Sequence, residues 1–206
     1  MSRRAAPKAN TGARSAKVAP MTAGAAEPLL VGPLDGTIAW HDGAPVSRAR
    51  FLALATRLAE RLPATGAALH LATDRLAFAV GFAAALLRGH PSLMPPNHTA
   101  HTVERLARAF PGTYALVEPG GDGHGLATVA VGLDGDAGTV GSVPSIPADR
   151  VAAQVFTSGS TGEPVPNAKT WGLLVANARA ATARLAALAG RTSLEGLSLV
   201  ATVPPQ

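Results

Sequence analysis

From Leu29 onward, short apolar runs alternate with segments of helical period. Apolar runs of this kind are buried on both faces and build parallel strands, while the helices between them supply right-handed crossovers. The order strand, helix, strand, helix, strand therefore specifies an α/β fold, a layered and largely parallel sheet flanked by helices. Ser47 is placed to cap Arg48 to Leu62, where Phe51, Ala55, Leu58 and Leu62 recur at helical spacing and Pro63 stops the segment. Ala67 to Ala72 reads as a buried strand. Asp74 opens a second helix, Arg75 to Arg88, with Phe78, Phe82 and Leu86 in one row and Gly89 as its stop. The many Ala and Gly residues of this helix allow close approach to a sheet. Ser92-Leu93-Met94 forms a short strand ended by Pro95-Pro96. A third helix runs from about Thr102 to Phe110, ended by Pro111-Gly112, and Tyr114 to Val117 supplies the next strand. Between Glu118 and Asp149 the chain turns rich in Gly and Asp, and Leu126 to Leu133 alternates weakly, as an exposed hairpin or an edge strand does.

The chain has 206 residues, 47% hydrophobic and 15% charged, enough to bury the core of one ordinary domain. Cysteine is absent, which excludes disulfides, thiolate metal sites and a cysteine nucleophile and suits a reducing cytoplasm, the expected location. The formal charge of +5 resides in the first 26 residues, where Arg3, Arg4, Lys8, Arg14 and Lys17 meet no acidic residue; the remaining 13 basic and 13 acidic side chains balance. Residues 1–28 lack any apolar period and read as a disordered basic tail, ahead of a body spanning 29–206. Arg3-Arg4 resembles a twin-arginine signal without its apolar stretch, and the acid-free leader leaves an organellar transit peptide open. No run of about 18 apolar residues occurs, so no membrane span is expected.

Val151 to Phe156 forms an apolar strand, followed directly by Thr157-Ser158-Gly159-Ser160-Thr161-Gly162-Glu163-Pro164 and then by a long helix that carries Trp171, Leu174, Ala178, Ala181, Leu185 and Leu188 on one stripe, with Gly190 as its stop. A strand feeding such a loop and then a helix N-terminus presents unpaired amides and a positive helix end to an anion. Glycines let the backbone approach oxygen atoms, and hydroxyls donate further hydrogen bonds. If the helix begins near Asn167, Lys169 lies in its first turn, where only a bound anion would offset its opposition to the helix dipole. A plain polar turn accounts for part of the same pattern. The spacing fits neither a Walker loop, nor G-x-G-x-x-G, nor a nucleophile elbow. His98 and His101 lack a nearby carboxylate and make a poor metal site, so no metal ligand is assigned there. Trp171 reads as a core anchor.

Phe156 to Pro164, FTSGSTGEP, resembles the signature phosphate loop of the adenylate-forming superfamily, which includes acyl-CoA synthetases, luciferases and peptide-synthetase adenylation domains. A looser likeness extends over about Thr37 to Gln206, through DGAPVSRARF before the first helix and PNAKTW after the loop. The resemblance implies that Thr157, Ser158, Gly159, Ser160, Thr161 and Gly162 embrace the β- and γ-phosphates of ATP, with Mg2+. It also implies a cation after the loop; many relatives place Lys directly after its Pro, where this chain has Val165, and Lys169 is the nearest substitute. The implied reaction is attack of a carboxylic acid on Mg-ATP to give an acyl-adenylate, then transfer to CoA or a phosphopantetheine carrier. Leu197 to Val203 reads as a further buried strand, and the superfamily continues for at least as many residues again. The expectation is thus the N-terminal part of an AMP-binding domain, with no catalytic residue of its own, inactive alone, the remainder on another chain or lost. Two alternatives stay open: a non-catalytic α/β module binding a nucleotide or a protein, and a nucleic-acid-binding protein acting through its basic tail.

Overall fold

The computed structural model describes residues 24–135, 138, 140–158 and 164–197. The first elements are three short strands, β1 (Ala26–Pro28), β2 (Thr37–His41) and β3 (Ala44–Ser47). β2 and β3 form a hairpin about Asp42 and Gly43, both at positive φ (49° and 77°), the backbone that a two-residue Asp-Gly connection adopts. The helix α1 (Arg48–Arg61) follows, and the Ser47 hydroxyl accepts from the Arg50 amide as the expected cap. The strand β4 (Ala68–His70) leads to α2 (Arg75–Arg88), capped by the Asp74 carboxylate at the Ala77 amide and closed by Gly89 at φ 86°. Then come β5 (Ser92–Met94), α3 (Ala100–Ala109), β6 (Tyr114–Val117), β7 (Thr128–Ala130) and β8 (Ser145–Pro147). The chain continues through β9 (Val151–Ser158) and β10 (Pro164–Thr170) to α4 (Trp171–Leu188).

Among the described residues, six strands form the main sheet in the order β10-β9-β5-β4-β6-β7, parallel throughout except for β10 at one edge. β4 shows why: Ala68 and His70 face one side, Ala67 and Leu69 the other, and all four are buried. α1 and α2 cover the first side, where Leu54, Leu58, Val80 and Ala84 meet Tyr114 and Leu116. α3 covers the second through Val103 and Leu106 against Leu69 and Leu93. Close approach of α2 depends on Gly81, where an added Cβ would lie 3.1 Å from Leu116 Cδ1 and 3.3 Å from His70 Nδ1. The Leu126 to Leu133 stretch supplies β7, an edge strand parallel to β6.

Three expectations are corrected. No helix follows the Gly- and hydroxyl-rich loop: Pro164–Thr170 forms β10, antiparallel to β9, and α4 starts at Trp171 with Thr170 as its cap. The stripe foreseen on α4 is not buried as one face. Among its described residues only Gly172 and Ala186 are fully buried, Leu188 is 68% exposed, and Trp171 and Leu174 pack against the cluster of Leu86, Ile146 and Ala152. The end of the segment assigned to the tail is structured, since Ala26–Pro28 pairs with β8 and Glu27 holds α4 through Arg179, at 2.9 and 2.6 Å, and through the Trp171 indole, at 3.2 Å. Trp171 is thus the anchor the sequence suggested. The strand expected over Leu197 to Val203 lies, past Leu197, outside the described residues.

Candidate functional site

β9 carries the first part of the FTSGSTGEP segment. Phe156 packs edge-on against Phe110, the residue that ends α3, ring centres 6.0 Å apart, and so fixes the strand just before its polar end. Thr157 and Ser158 complete β9, their backbones opposite Val165 and Pro164 of β10. Gly159, Ser160, Thr161 and Gly162 lie outside the described residues, which place the two ends they join: Ser158 and Pro164 face each other across a five-residue connection. The loop therefore closes a β-hairpin. It leaves the sheet at the carboxyl end of β9, the edge where β4, β5 and β6 also end, and ligands of open α/β sheets bind outside that edge.

The reason given for Lys169 does not hold in this geometry. Lys169 pairs with Ala153 and Thr170 with Val151, so the start of α4 returns to the amino end of β9, where the Trp171 amide donates to the Arg150 carbonyl at 2.8 Å. At about 3.3 Å per strand residue, Lys169 lies roughly 17 Å along the sheet from Ser158. The lysine and the positive end of α4 both lie at the opposite end of the β9–β10 pair from Ser158 and Pro164. β10 is exposed from Val165 to Ala168, and its two prolines deprive this edge of donors.

Beside the loop, the same sheet edge is built from braced turns. After β4, the Glu118 carboxylate accepts from the Thr73 amide (2.6 Å), the Thr73 hydroxyl (3.0 Å) and the Asp74 amide (2.9 Å). These donors, the Asp74 amide foremost, hold its carboxyl below the usual range, so it is ionised at neutral pH. After β5, Asn97 Oδ1 accepts from the Thr102 hydroxyl at 2.7 Å and from that of Thr99, the α3 cap, at 3.2 Å. Sequence reading missed both braces; a carboxylate directly after a strand and an Asn two residues before a Thr cap were the signals available. Burial, with a smaller contribution from His124, lowers the pKa of His98. Among the described residues no cluster of three potential metal ligands occurs, and no helix is long and apolar enough to cross a membrane.

No family model and no curated protein matches the chain. Solved structures do, and the fold they share with it is that of the N-terminal portion of adenylate-forming ligases. One is the o-succinylbenzoate CoA synthetase of Bacillus subtilis in complex with its acyl-adenylate intermediate, 19% identical over 70% of this chain with a TM-score of 0.56. Another is a malonyl-CoA ligase with methylmalonyl-CoA and AMP bound, 24% identical over 76% of this chain with a TM-score of 0.57. The chain spans 41% of the first protein's length and 34% of the second's.

Proposed function

We propose that this chain is the polyphosphate-binding front part of an AMP-dependent acid–thiol ligase. The supporting observation is the coincidence of two independent features: the FTSGSTGEP segment, and its position as a hairpin connection at the carboxyl edge of a sheet with the fold of such ligases. In this reading the amides and hydroxyls of Thr157, Ser158, Gly159, Ser160, Thr161 and Gly162 donate to the β- and γ-phosphates of ATP, whose Mg2+ neutralises further charge. Lys169 has no part in it. The whole enzyme would join a carboxylic acid to the α-phosphorus, release pyrophosphate, and pass the acyl group to CoA or a carrier thiol. Positioning and charge neutralisation carry such a reaction.

Taken by itself, the chain is expected to bind polyphosphate weakly and not to catalyse ATP–pyrophosphate exchange. Calorimetric titration of the 206-residue protein with Mg-ATP and with Mg-pyrophosphate tests the loop directly. Replacing Ser160 and Thr161 together by Ala removes two hydroxyl donors and should weaken both ligands about tenfold. Unchanged affinity would leave a non-catalytic α/β module as the better reading, and exchange at ordinary enzymatic rates would refute the inactivity.

A further inference from the structure

On the side of the sheet covered by α1 and α2, the β2–β3 hairpin and the start of α2 line an open cavity of about 570 Å³, within the range of small-molecule sites. Ile38, Phe51, Leu76 and Ala79 supply apolar wall. At its mouth Trp40 is 65% exposed, a large indole surface left in water. Two carboxylates border it. Asp74 is engaged, one oxygen capping α2 at the Ala77 amide (2.7 Å) and the other 3.3 Å from His41 Nε2. Asp42 is far less so: it stands in the hairpin turn, its side chain 89% exposed and 3.5 Å from His41 Nδ1. The frame is rigid, because the Asp-Gly turn sets the hairpin and Glu118 braces the turn that carries Thr73 and Asp74.

From this placement we propose that the cavity, which none of the described phosphate-loop residues lines, is a second binding site for a small aromatic cation of the amidinium class. The ring enters against Phe51 and Leu76, and the cationic group lies between the Trp40 face and the Asp42 carboxylate. An exposed indole attracts such a group through its ring quadrupole, and an adjacent carboxylate adds charge attraction without having to be uncovered first. His41 and Arg75 also line the cavity, so Asp42, the more exposed carboxylate, is the contact that separates a cation from an anion of the same shape.

Benzamidine is the probe, and nuclear magnetic resonance of the full chain is the readout. Trp40 and Trp171 are the only tryptophans, so two indole N–H signals suffice, and a Trp40→Phe variant assigns them. Benzamidine should shift the Trp40 signal saturably and leave that of Trp171 in place. Asp42→Asn, at an exposed turn position where Asn is equally at home, should raise the dissociation constant by about threefold, the loss of one exposed charge contact. Benzoate should produce no saturable shift. The proposal is overturned if benzoate acts as well as benzamidine, if both indoles move together, if Asp42→Asn binds as tightly as the parent, or if no saturation occurs.

Discussion

His70 lies in the middle of the sheet with Nε2 2.9 Å from the Ser92 hydroxyl, the Phe78 ring 5.0 Å away, and no hydrogen bond at Nδ1. Burial, with a smaller contribution from His98, lowers its pKa to about 3. The unfolded chain takes up a proton near pH 6.5 that the folded chain refuses, so the stability linked to this residue is full above pH 6.5 and is lost as pH falls toward 3. The loss at pH 5 is about 2 kcal/mol, and His90, whose pKa burial also lowers, acts in the same direction. Urea unfolding at pH 7.5 and pH 5 should show this drop in the parent and a smaller one in His70→Gln, which can still bond Ser92 but does not titrate. An equal drop in both would assign the acid sensitivity elsewhere. Gly81 is limited by space rather than charge. Gly81→Val drives a branched side chain into Leu116 and His70 and should cost about 2 kcal/mol, read from the same unfolding curves.

At the scale of elements, α1 and α2 were legible nearly to the residue, because Ser47, Asp74 and Gly89 act on backbone groups within one turn of themselves. β10 was not. Its sequence, PVPNAKT, has no apolar alternation and contains two prolines; it is a strand because β9 offers it a ladder, which no local pattern records. The same limit applies to α4, whose periodic stripe shows a helix without showing what covers it. Leu188→Ala should therefore change stability by less than about 0.5 kcal/mol, whereas Phe156→Ala, which removes the ring packed on Phe110, should cost about 2 kcal/mol. Thermal unfolding of the two variants side by side tests the contrast, and a large loss at Leu188 would mean that the exposed stripe is buried in solution.

For the whole molecule, the sequence by itself determined the α/β class, the order of helices and main-sheet strands from Arg48 to Ser158, and the run of glycines and hydroxyls that follows β9. Each of these is written in short-range signals: periodicity, caps, and a run of small donors. The tertiary structure alone decided that the segment after the loop pairs back on β9 instead of opening a helix, that Lys169 sits at the far end of that pair from Ser158, and that Glu27, within the segment read as tail, fastens α4. The physical reason is common to all three. A backbone ladder and a contact across 152 positions depend on partners brought together only by folding, and a strand that pairs at an edge needs little from its own side chains.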